Sequence, residues 1–299
     1  MAEAARYRYL KPSTVGRLRN MSLVARGVVE GFISGLHKSP YHGFSVEFAE
    51  HRAYSPGDEL RHLDWTVFAR TDRYYVKQFE EETNLRAHIV LDISNSMTYR
   101  SDGLSKLEYG SFLAAALAYL MVKQQDSVGL VTCDTAIRSR LHPHSTTLHL
   151  NQLLRTLESI TPGGETSIST VFHALAQMIK KRGLIVIISD LFDDEKEIMR
   201  SLRHFRHKKH EVIIFHILDQ FEREFPFDRL TNFIDLETGE KLQVDPRYVR
   251  EEYLKTMKEF VDSFRRDCAE SVIEYVPTNT SIPFDFMLTA YLSKRKRLG

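Results

Sequence analysis

Two short apolar runs constrain the fold more than any other feature of the chain. Residues 86–92 and 183–190 are rich in Ile, Val and Leu, and each run ends on an aspartate. Continuous apolar runs of this length predict strands that are covered on both faces, which is typical of parallel sheets. From Leu85 onward predicted strands alternate with predicted helices. We therefore expect an α/β domain with a mostly parallel central sheet and helices on both faces.

The other elements of this domain follow from periodicity and from local start signals. Strands are predicted at 127–133, 136–141, 211–217 and 271–276, and helices at 105–123, 146–159, 167–181, 194–207, 245–268 and 281–293. The helix at 105–123 has a capping box, Ser105-Lys106-Leu107-Glu108, at its start. Residues 221–244 interrupt the alternation and predict a hairpin-like insertion that shelters a sheet edge.

Residues upstream of the alternating region predict an extension of a different kind. Apolar positions between Val15 and Phe32 recur at helical spacing, which predicts an amphipathic helix that ends near Ser34. Residues 74–79 predict a short strand. We therefore expect an N-terminal extension over 1–84, with a helix and a small β-containing part, followed by an α/β domain over 85–299. The sequence leaves open whether the helix packs on that domain or binds a partner.

Composition argues against several classes of protein. The net charge is +1, so the overall electrostatic field of the protein does not favour binding of nucleic acid. The two cysteines supply neither a disulfide framework nor the spacing of a zinc site. The first residues lack a secretory signal, and the longest apolar run, 112–122, is too short to cross a bilayer. We expect a cytoplasmic protein without a transmembrane segment. The basic run Lys294–Arg297 leaves a peripheral contact with a membrane or a partner open.

The motif Asp92-x-Ser94-x-Ser96 follows the first apolar run and offers only oxygen ligands. Such ligands suit Mg²⁺, Mn²⁺ or Ca²⁺ rather than zinc. The alternative is that Asp and Ser form a turn or cap a helix. Because Ser105 already caps the next helix, the two serines have no capping role. The connection from Ile93 to Leu104 is also longer than most strand-to-helix loops, which favours a functional loop.

Two further oxygen-bearing residues are expected at the same edge of the sheet. Asp190 ends the second apolar run, and Thr166 lies in a Gly-rich loop before a predicted helix. Ligands of open α/β sheets bind outside the carboxyl ends of the strands, so Asp92, Ser94, Ser96, Thr166 and Asp190 are predicted to converge on one metal ion. Each residue also has a structural interpretation, since Thr166 can cap its helix and Asp190 can be a solvated strand end.

The segment between the predicted extension helix and the first long strand combines aromatic and charged residues. One interpretation is a surface loop whose ion pairs contribute little to stability. The other is an interaction platform, because Trp, Tyr and Arg are frequent anchors of interfaces. The candidate partner-binding residues are Tyr54, Asp58, Arg61, Asp64, Trp65 and Arg70.

These residues together resemble a known bacterial family. The five predicted ligands are similar to the metal-ion-dependent adhesion site of von Willebrand factor A domains. The upstream segment resembles the signature of the bacterial domain of unknown function 58 (DUF58) family, which leads into an A-type domain. The residues that carry this second resemblance are His42-Gly43, Arg52-x-Tyr54-x-x-Gly57-Asp58, Arg61-x-x-Asp64-Trp65 and Ala69-Arg70.

The resemblance implies a Rossmann-like von Willebrand factor A-type fold and a Mg²⁺-type site. It also implies pairing with a MoxR-type AAA+ ATPase in the assembly or maturation of other proteins. In such a site the hydroxyls of Ser94, Ser96 and Thr166 contact the cation, and Asp92 and Asp190 orient them or hold metal-bound waters. An Asp or Glu of a protein partner then fills the open position.

The enzymatic alternative is a Mg²⁺- or Mn²⁺-dependent phosphohydrolase that uses Asp92, Asp190, Asp193 and Asp194. Phosphoryl-transfer sites also need a positioned base or nucleophile and a Lys or Arg clamp. The chain lacks a Walker-type Gly-x-x-x-x-Gly-Lys and the Gly-x-Ser-x-Gly of hydrolases. We therefore favour a non-enzymatic interaction module.

Overall fold

The computed structural model describes residues 12, 20–36, 51–53, 68, 70, 74–77, 85–163 and 167–296. The strands within these residues are β1 (His51–Ala53), β2 (Tyr75–Lys77), β3 (Arg86–Asp92), β4 (Ser127–Cys133), β5 (Ile137–His144), β6 (Leu184–Ser189), β7 (Glu211–Leu218), β8 (Thr231–Ile234), β9 (Lys241–Val244) and β10 (Glu274–Asn279).

Six of these strands form one central sheet in the order β10-β7-β6-β3-β4-β5. Every neighbouring pair is parallel except β4 and β5, which are antiparallel. The two predicted apolar runs become β3 and β6, which lie side by side with Leu91 opposite Ile188. The prediction of a mostly parallel α/β sheet is therefore confirmed. The other strands form two separate pairs, β1 with β2 and β8 with β9.

Several helices begin at local capping signals in the sequence. Within the described residues the helices with defined bounds are α1 (Met21–Leu36), α2 (Lys106–Lys123), α3 (Thr147–Glu158), α4 (Ile168–Met178), α5 (Glu195–His207), α6 (Gln220–Glu224), α7 (Pro246–Glu270) and α8 (Asp285–Lys296). The capping box at Ser105 and Glu108 forms at the start of α2. Asp194 caps α5, and Asp245 caps α7 with Pro246 in its first turn.

Each face of the central sheet is covered by its own hydrophobic core. One core joins Ile89, Leu91 and Ile188 to side chains of α1, α2, α3 and α8. The other joins Val90, Ile187 and their neighbours to side chains of α4, α5 and α7. Because successive residues of a strand point to opposite faces, β3 and β6 contribute to both cores. All of β6 is buried, and β3 is buried from Ala87 onward.

The helix of the N-terminal extension packs on the α/β domain. Val24, Val28 and Phe32 of α1 are buried in the core that contains α2. The backbone N–H of Met21, in the first turn of α1, donates to Glu158 Oε1 at the end of α3 over 2.8 Å. The sequence had left open whether this helix packs on the domain or binds a partner. In the structure its apolar face is buried against the α/β domain of the same chain.

Residues 220–244 interrupt the alternation of strands and helices after β7. They form α6 and the hairpin of β8 and β9, which pair only with each other. An isolated two-stranded hairpin is marginal in stability, so its attachment matters. Phe233 of β8 packs against Phe225 and Phe227, and Phe225 stacks on Tyr253 of α7 with ring centroids 4.4 Å apart. These aromatic contacts fix the hairpin to α7.

None of the helices in the described parts of the chain combines the length and the hydrophobicity that crossing a membrane requires.

Candidate metal site at the carboxyl edge of the sheet

The carboxyl ends of β3 and β6 bring the first and last predicted ligands to one edge of the sheet. Asp92 is the final residue of β3, and Asp190 directly follows β6. Because these strands are parallel neighbours, both carboxylates lie at the same edge. Both side chains are buried, with 1% and 0% of their surface exposed.

Hydrogen bonds from the loop after β3 and from the end of β6 orient the carboxylate of Asp92. Its Oδ1 accepts from the backbone N–H of Ser94 over 2.9 Å, and its Oδ2 accepts from the Ser189 hydroxyl over 2.7 Å. Burial and the nearby charge of Asp190 raise the pKa of Asp92 to about 7. A nearby cation would stabilise the ionised form of this buried carboxylate.

The two serines of the motif stand beside this carboxylate. Ser94 is fully buried, and its Oγ lies 3.0 Å from the Oγ of Ser96. A 3-10 turn, Asn95–Thr98, follows Ser94, whose side chain makes no capping hydrogen bond to it. The expectation that the serines do not cap a helix through their side chains is therefore met by Ser94. The two hydroxyl oxygens lie within hydrogen-bonding distance of each other.

Thr166 lies outside the described residues, but the loop that leads to it is tied to the motif. The backbone N–H of Gly163 donates to the carbonyl of Ile93 over 3.2 Å. The N–H of Ile93 in turn donates to the carbonyl of Cys133 at the end of β4. The chain thus passes beside the Asp92 motif three residues before Thr166. The role of Thr166 stays a prediction.

A buried lysine contacts Asp190, which the sequence did not predict. Lys106 Nζ, in the first turn of α2, lies 2.8 Å from Asp190 Oδ2 and 2.6 Å from Glu222 Oε1 of α6. The side chains of Lys106 and Asp190 have no exposed surface. Burial alone would lower the pKa of Lys106, but its two carboxylate partners outweigh this effect and raise that pKa. Lys106 is therefore a charged counterion for Asp190.

Further contacts hold this edge of the sheet together. Asp219, at the end of β7, accepts hydrogen bonds from Ser101 N in the motif loop and from Phe221 N in α6. His216 Nε2 bonds the carbonyl of Asp190 over 2.8 Å, and burial lowers the pKa of His216 to about 4. A neutral imidazole with the proton on Nε2 can donate this bond. The loop after β6 is thereby fixed from the neighbouring strand.

The other aspartates of the phosphohydrolase hypothesis have backbone partners. Asp193 Oδ2 accepts from Ser169 N in α4 over 3.0 Å, and Asp194 caps α5 through Glu197 N. Within the described ranges, no group of three or more His, Cys, Asp or Glu side chains is arranged to hold a metal ion. A cation bound here would depend on serine hydroxyls as well as on carboxylates.

A polar cleft of about 340 Å³ opens beside the motif loop on the side of β4. Ile93 and Gly163 line it next to the motif, and Asp134 and Arg138 also line it. Arg138 Nε lies 2.7 Å from Asp134 Oδ2, and 52% of the Arg138 side chain is exposed. The cleft therefore presents a partly accessible guanidinium close to the candidate site.

The predicted interaction platform falls largely outside the described residues. Tyr54, Asp58, Arg61, Asp64 and Trp65 belong to the part of the chain that is not described. Arg70 is described, and it is exposed in a helical conformation. The partner-binding role of all six residues stays a prediction.

Sequence reasoning missed Lys106, Ser189 and Glu222. Lys106 carried one usable signal, because it is a lysine at the start of a helix that is otherwise apolar nearly all round. Ser189 immediately precedes Asp190, and a hydroxyl at the end of a buried strand needs a polar partner. Glu222 had no comparable signal, since it lies 116 positions from the lysine that it contacts.

The chain is similar to several known proteins. Uncharacterized protein Rv1480 of Mycobacterium tuberculosis is 29% identical over 240 residues, which cover 79% of this chain and 75% of that protein. Conserved hypothetical protein BatB from Bacteroides thetaiotaomicron has a similar structure, with a TM-score of 0.49 and 18% identity over 71% of this chain and 99% of that chain. The Rpn10 VWA domain has a TM-score of 0.36 and 13% identity over 66% of this chain and 89% of that chain.

The fold of the chain rests on its own sheet rather than on these distant structural likenesses. The family evidence is stronger, because the model described as "Protein of unknown function DUF58" matches residues 50–261, which is more than half of the chain. The match includes the upstream signature from Arg52 onward and the Asp92 motif. The protein therefore belongs to the DUF58 family, as the sequence predicted.

Proposed function

We propose that this chain is a protein-interaction module that binds a partner through a divalent cation at the carboxyl edge of its sheet. The observation that supports this most directly is the pair of Ser94 and Ser96 hydroxyls, 3.0 Å apart and next to the buried Asp92. Neighbouring ligands of an octahedral Mg²⁺, each at about 2.1 Å, lie about 3 Å from one another. Both hydroxyls can therefore contact the same ion.

In this proposal each residue has a defined role. Ser94, Ser96 and Thr166 supply neutral oxygen ligands, while Asp92 and Asp190 orient these ligands or accept hydrogen bonds from bound waters. Ser189 and the Ser94 N–H hold the Asp92 carboxylate in a fixed orientation. The cation, when bound, supplies positive charge and an open coordination position for a carboxylate. Mg²⁺ is the preferred ion, with Mn²⁺ or Ca²⁺ as alternatives.

The open coordination position of the bound ion favours an acidic residue of the partner. Lys106 is shared between Asp190 and Glu222, so these two carboxylates, that of Asp92 and the single lysine together carry a charge of −2, which a divalent ion would bring to zero. The ligands on the ion would be largely neutral serine oxygens, and the carboxylate of an Asp or Glu of a partner makes a strong, charge-assisted contact with such an ion. The half-exposed guanidinium of Arg138 in the adjacent cleft is paired with Asp134 and adds no net charge.

The proposed partner is a protein that presents such an acidic residue. We take a MoxR-type AAA+ ATPase as the first candidate, with a role in assembling or maturing other proteins. Family membership supports this choice, because the DUF58 resemblance implies such a pairing. A pull-down of the full chain with a purified MoxR-type ATPase, with Mg²⁺ and with EDTA, tests it. We expect retention of the ATPase only with Mg²⁺, and equal retention in EDTA would contradict the proposal.

Calorimetric titration with MgCl₂ tests the metal site itself. We expect the wild-type protein to bind one Mg²⁺, and the double variant Ser94→Ala, Ser96→Ala to lose that binding, because two of the ligands are removed. Ser145→Ala is the matched control, since Ser145 follows β5 at the opposite edge of the sheet. Unchanged Mg²⁺ binding in the double variant would contradict the proposal.

The phosphohydrolase hypothesis has less support. Asp193 and Asp194 are engaged with backbone N–H groups, and Lys106 is buried between two carboxylates, where it cannot clamp a phosphate. A screen of the purified protein on generic phosphoesters with Mg²⁺ and Mn²⁺ separates the two hypotheses. We expect no turnover above that of an Asp92→Ala variant.

A further inference from the structure

An apolar groove of about 410 Å³ runs between α7 and the loop that leads into α5. Its volume is within the range of sites that hold a side chain or a small ligand. Most of its lining comes from one face of α7, at spacings of three and four residues. The lining residues are Phe192, Glu195, Tyr253, Thr256, Met257, Glu259, Phe260 and Ser263.

The aromatic residues of the groove have their ring faces occupied. Phe192 stacks on Phe260 with centroids 5.6 Å apart, and Lys106 Nζ lies 4.7 Å from the centroid of the Phe192 ring. Tyr253 stacks on Phe225 at 4.4 Å. A cage for a quaternary ammonium group needs free ring faces, so the groove does not suit that ligand. It instead offers ring edges and the flexible Met257 side chain, which suit an aliphatic group.

The charged residues that line the groove have one sign. Glu195 and Glu259 are exposed at its rim, and no Lys, Arg or His is among the described lining residues. Ser263 Oγ donates to Glu195 Oε2 over 2.7 Å, which connects the two walls without a cation. A ligand that places an ammonium or guanidinium group at this rim would therefore be complementary in charge.

We propose that this groove is a second docking site, which binds a protein segment with a Leu, Ile or Met side chain next to Lys or Arg. The aliphatic side chain fills the apolar floor between Phe192 and Met257. The adjacent basic side chain pairs with Glu195 or Glu259 at the rim. This chemistry is opposite in sign to that of the acidic residue expected at the metal site.

The groove and the candidate metal site are neighbours but use different side chains. Phe192 lies two residues after Asp190, and its backbone N–H donates to Asp190 Oδ1 over 3.3 Å. No predicted metal ligand lines the groove. Binding in the groove therefore does not require a divalent cation, and it can be tested separately from the proposed function.

Fluorescence anisotropy with a labelled hexapeptide of alternating Leu and Lys, capped at both ends, tests the proposal. Because the proposal does not depend on a metal, the measurements are made in EDTA. We expect saturable binding that is about tenfold tighter or more than that of the matching Ala and Lys peptide, which lacks the apolar anchors. A peptide of alternating Leu and Glu should bind at least as weakly. A photoreactive leucine in the first peptide should crosslink to α7 near Met257.

Two variants of α7 locate the site. Glu259→Lys reverses one charge at the rim, and Met257→Lys places a cation in the groove. Because both residues are at least partly exposed, we expect both variants to fold. Each should weaken binding of the Leu and Lys peptide about tenfold. Glu251→Lys makes the same charge change on an exposed position of α7 that does not line the groove, and should change binding less than twofold.

Three results would overturn the proposal. They are no saturable binding of the Leu and Lys peptide to the wild-type protein, equal affinity for the Leu and Glu peptide, or equal weakening by Glu259→Lys and Glu251→Lys. The last result would mean that only the net charge of the protein matters. Unchanged Mg²⁺ binding in the serine double variant would contradict the metal site but would leave these outcomes unchanged, so the two proposals fail independently.

Discussion

At the scale of single residues, the buried Lys106 determines the electrostatics of the candidate site. It pairs with Asp190 and Glu222 in a largely buried region, where an unpaired charge is costly. We expect Lys106→Met to lower the free energy of unfolding by about 3–5 kcal/mol, because two carboxylates lose their counterion. Urea denaturation followed by circular dichroism measures this change.

Two further variants make the Lys106 prediction specific. Adding Glu222→Gln to Lys106→Met removes one of the stranded charges and should recover part of the lost stability. Lys123→Met removes a lysine from the exposed end of the same helix and should change stability by about 0.5 kcal/mol at most. Equal stability of Lys106→Met and Lys123→Met would contradict the role of Lys106 as a buried counterion.

His88 makes the stability of the protein depend on pH. It lies on β3 with 5% of its surface exposed, and burial, followed by the charge of Arg140, lowers its pKa to about 4. The unfolded chain takes up this proton near pH 6.5, so the stability contributed by neutral His88 is present above pH 6.5. It is lost as the pH falls toward 4.

We therefore expect the free energy of unfolding to fall between pH 7 and pH 5 by about 2 kcal/mol more in the wild-type protein than in the His88→Leu variant. Leu removes the titration and suits the apolar face that His88 shares with Val90. Urea denaturation at the two pH values gives the difference. If the two proteins lost the same free energy of unfolding between these pH values, burial would not lower the pKa of His88.

At the scale of elements, the approach of α2 to the sheet positions Lys106. A Cβ atom at Gly110 would lie 3.1 Å from both Leu91 Cδ1 of β3 and Ile188 Cγ2 of β6. Glycine thus allows the helix to sit directly over the two strands that end at the site. We expect Gly110→Val to destabilise the protein by about 1–3 kcal/mol, because α2 must move away from the sheet. Thermal unfolding measures the loss.

The variant Ala118→Val, which adds bulk at another buried position of α2, is the control for the site itself. It lies farther from Lys106 along the helix, so it should leave Mg²⁺ affinity closer to the wild-type value than Gly110→Val does. If the two variants lowered Mg²⁺ affinity equally, the position of α2 over Leu91 and Ile188 would have no special bearing on the site.

The types of the elements and most of their starts were predictable because their signals are local in sequence. Two starts were wrong, since β10 begins at Glu274 rather than at 271 and α8 at Asp285 rather than at 281. The capping box at Ser105 was sufficient to predict the start of α2, and the apolar runs were sufficient to predict β3 and β6. Element ends were less predictable. The helix expected over 167–181 ends at Met178, since Ile179 adopts an extended backbone and buries its side chain in the core. That burial depends on α5 and β6, which a local pattern does not encode.

At the scale of the whole molecule, topology explains which parts of the site could be predicted. Asp92 and Asp190 each end an apolar run, and the rule for ligands at the carboxyl ends of parallel strands placed them together. The contacts of Lys106 with Asp190 and Glu222 span 84 and 116 positions. Such pairings arise only when α2, β6 and α6 meet in the fold, so the sequence pattern alone did not reveal them.

The most direct test of the metal site is an anomalous diffraction map from a crystal of the full chain soaked in MnCl₂. We expect a Mn²⁺ peak within about 2–2.5 Å of both Ser94 Oγ and Ser96 Oγ, beside the Asp92 carboxylate. We also expect Lys106 Nζ to stay paired with Asp190. A map without a peak between the two serines, or with the ion bound only elsewhere, would contradict a metal-dependent interaction site at this edge of the sheet.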